Sequence, residues 1–447
     1  MKNISLFDPS CMAPGPKLVD LTAGTEVGAV TTLIRGISKA AVASNVAYAT
    51  GGALLHKFSA TAVINAGIWP HSIAGTGVSG EDVCHYNSQL LYSYNTSTAG
   101  NIGMFNLDAT FDDDWWTSAL VGAALSATSH QMINGGDDNV YIANGRYVAS
   151  LDGTTDVAQG LDLWADCVVE SLTWNDDLVY IGANRPNISG ANNNQSGIYR
   201  WDGFSDTWEN NPVPVEGRIG ALLTALGTTF CWYQCFDFDG TAINFFGYVS
   251  GNKVEPLRSF DGTLPAYYQV SKIGSSVAFA AGSEIYAYGP IDNETDVDFA
   301  YLATPVHTSS VGGISCPFGK LIAASHNSTT GYSLAVANGY ATDSNYKTKQ
   351  FMSSGPERTS RVDTIVVNFD VLASGARVDL TLRDNKGTAL WTGTISFAVD
   401  GAVTKKVFHP KCNAENFRLE FDHTNGSTSA PVKIRETFID DVNLRSL

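Results

Sequence analysis

The run Asp112-Asp113-Asp114-Trp115-Trp116 places three carboxylates beside two indole rings. Carboxylates can hold sugar hydroxyls, and a pair of them can serve as acid and base in glycoside hydrolysis. An indole offers a flat apolar face with a polar edge, the chemistry of a sugar-stacking surface. The run is therefore the leading candidate for a glycan or partner contact. It reads equally well as an acidic turn between two strands. Asp237-Phe238-Asp239-Gly240 is a second acidic turn of the same kind, and calcium there would lack a full ligand set. Trp201-Asp202-Gly203-Phe204-Ser205-Asp206-Thr207-Trp208 brings Trp, Asp, Gly and Ser together once, without a regular repeat elsewhere in the chain.

Other chemistries find little support in the spacing. The eight histidines are isolated, with no H-x-x-x-H or H-E-x-x-H pattern. Cys231 and Cys235 form C-x3-C within a strand-like run, but no second Cys/His pair completes a zinc site. Gly75-Thr76-Gly77-Val78-Ser79-Gly80 lacks the spacing of a nucleophile elbow, and no phosphate-binding loop is present. The residues thus give no catalytic, cofactor or metal assignment, and the expectation is a protein that is no enzyme and takes no cofactor. Seven scattered cysteines read as buried thiols of a cytoplasm-made protein. No leader-like apolar segment follows Met1, and no run long and apolar enough to span a membrane occurs.

Charge divides the chain. Residues 1–350 hold 15 Lys/Arg and 32 Asp/Glu, whereas residues 351–447 hold 12 of each, so the net charge of −17 belongs to the first segment. That predicts a domain boundary near residue 350. It also argues against tight wrapping of nucleic acid by the first domain, because phosphates are held by clustered cations. A channel past which DNA slides without sticking stays compatible with it.

The elements that would position these residues are short strands. Gly is frequent at 43 of 447 residues and charged residues make up only 16%, a composition of strands joined by tight turns. Paired β runs recur roughly every 40–50 residues, the period of four-stranded propeller blades. Examples are Asn139-Val140-Tyr141-Ile142-Ala143 with Tyr147-Val148-Ala149-Ser150-Leu151, and Asp177-Leu178-Val179-Tyr180-Ile181-Gly182 with Ile198-Tyr199-Arg200-Trp201. Runs such as Val277–Ala281, nearly all small or apolar rather than alternating, suit strands buried on both faces. From residue 364 the pattern becomes alternating, as in Val378-Asp379-Leu380-Thr381-Leu382-Arg383, which predicts sheets with one solvated face. The predicted fold is all-β: an N-terminal arm over 1–25, a β-propeller of about seven blades over 26–345, and a jelly-roll-like β-sandwich over 351–447. Six or eight blades, or a non-repetitive set of sandwiches, are the alternatives.

Taken together, a turn-rich arm, a degenerate propeller and a sandwich ending in Asn416-Phe417-Arg418-Leu419-Glu420-Phe421 and Val432-Lys433-Ile434 to Val442 resemble a known group. It is the tail hub or nozzle proteins of tailed bacteriophages, also called packaged-DNA stabilisation or head-completion proteins. The resemblance is one of architecture across the whole chain. It implies a virion structural protein of the tail, assembled in the host cytoplasm as a homo-oligomeric ring, typically a hexamer. Portal, adaptor and other tail components would be its neighbours, and DNA would pass without specific binding. Arg358, Arg361, Arg377, Arg383, Arg418 and Arg435 make the sandwich the expected docking module, or else they are ordinary solvated strand residues. A receptor- or glycan-binding tail fibre or tip protein and a propeller glycoside hydrolase are the alternative functions.

Overall fold

A computed structural model describes residues 16–21, 33–38, 45–107, 110–116, 125–126, 128–152, 155–185, 195–237, 239–274, 276–290, 297–303, 310–327, 331–340, 343–347, 351–352, 360–414, 416–426 and 432–443. The chain is all-β and forms two compact units. One comprises Val19–Glu284 and Pro305–Val336, the other Met1–Leu18, Ile285–Thr304 and Ala337–Leu447.

The expected propeller is present, with seven antiparallel sheets of four or more strands as blades. Their innermost strands, in chain order, are Gly36–Ile37, Ser79–Tyr86, Met132–Asn134, Val168–Asn175, Arg218–Ala225, Val270–Ile273 and Ser310–Ser315. We number the blades 1 to 7 accordingly. Each inner strand touches the next, and that of blade 7 touches that of blade 1, so the ring closes. Hairpin turns explain the wealth of Asn, Asp and Gly. Asp176 and Asp177 join two strands of blade 4 with φ of 48° and 60°, a conformation that two-residue hairpin loops require and short polar residues tolerate.

The core of this unit lies in the seams between blades. Leu91 and Ile102 of blade 2 meet Val140 and Ile142 of blade 3, and Val148 and Leu161 of blade 3 meet Leu172 and Val179 of blade 4. A hairpin alone buries too little apolar surface to persist, and stacking blades covers both faces of each sheet. Near the axis the blades come close enough to need glycine. A Cβ on Gly36 would lie 2.6 Å from Cα of Asp82, and one on Gly313 would lie 1.9 Å from the Arg35 carbonyl oxygen.

The sandwich also forms as the alternation predicts. One sheet runs Asp343–Lys347, Asn416–Thr424, Arg377–Asp384, Ala389–Ser396, with Phe351–Met352 also paired to the second of these. In the other, Ser360–Phe369 is central, flanked on one side by Lys405–Phe408 and Cys412–Ala414 and on the other by Ile434–Asn443. Val378, Leu380 and Leu382 point inward to meet Ile365, Val367 and Phe421, all fully buried. The Asp384–Gly387 turn is a hairpin end as read: the Asp384 carboxylate accepts from Lys386 N and Thr388 N, and Gly387 has a φ of 84°. Among the described residues no helix is long and apolar enough to cross a membrane.

Candidate functional site

Seven inner strands leave an axial cavity of about 730 Å³. Its lining includes Asp82, His85, Trp174, Tyr268, Lys272 and Cys316, contributed by blades 2, 4, 6 and 7. The strands are locked around it by polar side chains that reach to the backbone of the following blade. Asp82 Oδ2 accepts from Met132 N at 2.8 Å. Gln131 takes both the N–H and the C=O of Leu172, at 2.6 and 3.0 Å. Ser171 and Thr173 accept from Leu222 N and Thr224 N, each at 2.9 Å. Gln269 donates to the Val311 carbonyl at 2.6 Å. These bonds satisfy inner-strand groups that an isolated hairpin would leave to water.

Two adjacent acids on blade 2 have different surroundings. Glu81 is 5% exposed and meets the Arg35 guanidinium at 2.5 Å. Burial pushes its carboxyl up, and Arg35 partly opposes that shift. Tyr267 closes the pair from blade 6, donating from its hydroxyl to the Glu81 carbonyl at 3.0 Å. Asp82 faces the cavity but is enclosed by protein. Burial pushes its carboxyl up to about 7, against the pull of the Met132 and Val83 N–H groups. Near neutral pH it can therefore either donate or accept a hydrogen bond. It is the one carboxylate among the described lining residues, whereas glycoside hydrolysis by the usual route needs two.

The setting of Asp82 was hidden from sequence reasoning, because its partner strand lies some fifty residues away. What stands out locally is only an acidic pair, Glu81-Asp82, inside the strand Ser79–Tyr86.

Asp112–Trp116 ends the outer strand of blade 2. The Asp113 carboxylate accepts from His71 Nε2 and from Ala74 N, each at 2.8 Å, and from the Tyr92 hydroxyl. Burial raises its pKa, but the His71 and Tyr92 bonds outweigh it and hold the group below the usual range. The Tyr94 hydroxyl donates to the Asp113 carbonyl at 2.5 Å. His71 stacks on Phe111 with ring centroids 3.7 Å apart. The cluster thus clasps blade 2 to the strand His71–Ser72 of blade 1. Trp116 is fully buried, so it has no face to lay against a sugar. Asp112 is half-buried at the strand end, Asp114 is exposed and receives Asn101 Nδ2 at 3.2 Å, and Trp115 is half-buried.

Asp237 and Asp202 both cap turns through backbone N–H groups. The described cysteines are free thiols. Burial pushes the Cys231 thiol up, and no cluster among the described residues could hold a metal ion.

The described sandwich arginines stand outward, as the alternation requires, and each of them is tied to a carboxylate of its own unit. Arg377 grips Asp379 through two bonds of 2.8 Å, and Arg435 grips Asp370 in the same way. Arg361 meets Asp363 at 2.7 Å. Arg383 and Arg418 converge on Glu420 at 2.7 and 2.9 Å, with Lys347 at 3.5 Å. Burial raises the Glu420 carboxyl, and the three cations more than reverse that. Arg358 lies outside the described residues.

Fold and cavity define a seven-bladed propeller protein with an appended β-sandwich. No family model matches the chain, and no curated protein matches it either. Solved structures do. The computationally designed Ika8 protein is 12% identical, with a TM-score of 0.42, covering 76% of this chain and 95% of its own. An exo-β-1,3-galactanase from Phanerochaete chrysosporium is 10% identical, with a TM-score of 0.34, covering 95% of this chain and 100% of its own. Drosophila Semaphorin 1a, extracellular domains 1–2, is 9% identical, with a TM-score of 0.46, covering 72% and 89%. The expectation that the chain is no enzyme is corrected here, because glycoside hydrolases stand among the similar structures. A missing motif was its only ground, and a propeller needs no motif in sequence to gather side chains at its axis.

Proposed function

We propose that the chain is a structural component of a tailed-phage tail, of the hub or nozzle kind, working as a homo-oligomer beside portal or adaptor proteins. The observation that carries this reading is the division of charge. The propeller segment holds the whole net charge of −17. The sandwich is neutral, and its arginines from Arg361 to Arg435 are tied to its own carboxylates. Like charge keeps a passing genome from adhering to a protein wall, and a neutral sandwich suits contact with other proteins. The test is native mass spectrometry of the purified chain, with antibody labelling of phage particles in the electron microscope. A ring, or a chain that multimerises only beside a portal or adaptor, supports the reading. Absence from purified particles overturns it.

A second reading is favoured by the axial cavity. Trp174 and Tyr268 supply aromatic surface, and Asp82 and Lys272 supply hydrogen bonds and charge, in one concave site. That combination suits a sugar or another polyhydroxylated ligand. A glycan array read with wild type and Asp82→Asn decides it. Binding lost in the variant supports a cavity site, and an array without saturable binding removes it.

A further inference from the structure

We infer that the outer face of the sheet centred on Ser360–Phe369 is a two-fold contact between copies of this chain. The contact goes beyond the tail reading and stands or falls independently of it. The register fixes three rows across that face. Asn368 pairs with Lys405 on one side and Glu436 on the other. Val366 pairs with Val407 and Phe438. Thr364 pairs with Asp440 on one side and lies 3.5 Å from His409 on the other. Strand alternation turns all of these outward, while Ile365 and Val367 between them are fully buried.

The middle row is apolar and open to solvent. Phe438 is 56% exposed and Val407 is 44% exposed. Val403, two residues before the Lys405–Phe408 strand, is also exposed. A large aromatic beside β-branched residues on an open sheet face is costly unless something covers it.

The flanking rows say what covers it. Along the Lys405–Phe408 edge the outward polar residues are Lys405 and His409. Along the Ile434–Asn443 edge they are Glu436 and Asp440, together with Arg435, whose charge is already taken up by Asp370. One edge thus offers basic groups to a partner and the other acidic ones. Consider a two-fold axis lying in the contact plane, parallel to the central strand. It keeps each row at its own height and exchanges the two edges. Lys405 of one copy then faces Glu436 of the other, His409 faces Asp440, Val407 meets Phe438, and Val366 sits on the axis. Sheet twist turns the facing strands by about 30° and leaves the edges opposed. The face is thus complementary to itself, as an isologous contact demands. Such a contact closes on itself, so it pairs subunits and leaves any ring contact to other surfaces.

The test is sedimentation equilibrium of the full chain, with a charge exchange. Wild type is expected to dimerise. Lys405→Glu alone and Glu436→Lys alone each set like charges together twice per dimer, and each should weaken dimerisation roughly tenfold or more. The double variant Lys405→Glu with Glu436→Lys restores both pairs across the axis and should recover dimerisation. Phe438→Lys should abolish it. These side chains are exposed, so an unchanged thermal unfolding curve shows that each variant is folded. A monomeric wild type at tens of micromolar overturns the inference. So does a dimer indifferent to Phe438→Lys, or a double variant no better than the singles.

Discussion

Asp82 in the propeller and Glu420 in the sandwich are both carboxylates withdrawn from bulk water, and they end in opposite states. Asp82 is held by two backbone N–H groups, and burial wins, lifting its carboxyl to about 7. Glu420 is met by Arg383, Arg418 and Lys347, and the cations win, holding it below its ordinary value. The difference follows from architecture. An inner propeller strand has a neighbouring backbone within reach of its side chains, so polar groups there are spent on ring closure. A sandwich strand has one face against the core and one against water, so long cations can lie across it and find acids on adjacent strands. The propeller is therefore locked by side chain–backbone bonds at the axis, and the sandwich by its apolar interior with ion pairs outside.

The strongest way to break that contrast is to hollow the sandwich core. Phe421 is fully buried among Leu380, Val367 and Val378. Phe421→Ala should cost about 3–5 kcal/mol. Hydrogen exchange followed by peptide mass spectrometry checks it: peptides from 360–443 should lose protection while those of blades 2 to 5 keep theirs. Equal loss in both would mean that the two units share one cooperative core.

That interior was legible in the sequence because one solvated face imposes strict alternation, and Val378, Leu380 and Leu382 turned inward as their spacing requires. The propeller was legible through its hairpin period, and seven blades are found. What stayed hidden depends on contacts remote in sequence. Nothing local in Asp112–Trp116 announces His71, whose ring takes up Asp113 from 42 residues away. A tryptophan next to acids looks the same in sequence whether it stacks on a ligand or, like Trp116, fills a core. The described arginines stand outward, but period two does not show that Glu420 or Asp370 lies within their reach.

Acid titration should separate the two regions with intermediate effects of opposite sign. The Glu420 pKa is lower in the fold than the ordinary value of about 4.3. Its contribution to stability is therefore complete above that pH and is lost as pH falls through the folded value. Glu420→Gln should cost about 1–3 kcal/mol at neutral pH, because three cations lose their acid, and should flatten the acid limb of the sandwich's stability profile. Asp82 runs the other way. Its folded pKa of about 7 lies above the unfolded value of about 3.9. Its proton-linked stability is complete below about 3.9 and is lost as pH rises through 7. Asp82→Asn should remove that slope from exchange in blades 2 and 3. A propeller whose protection is independent of pH between 4 and 7 would show that Asp82 stays ionised, with the contrast between the two acids lost.

The smallest effect is expected at Arg435, and it sharpens the comparison most finely. Its two bonds to Asp370 join side chains that are both about 40% exposed. Water screens such a pair, and ordering two long side chains offsets much of the attraction, so Arg435→Gln should cost no more than about 1 kcal/mol. Raising the salt concentration should shrink even that. The variant thus asks whether the outward arginines serve the sandwich itself or something that docks on it. An unchanged unfolding midpoint with unchanged oligomeric mass places Arg435 among the solvated strand residues. An unchanged midpoint with altered assembly would mean that the pair is exchanged for a partner's acid on docking, since an arginine that adds little to its own fold can leave it at little cost.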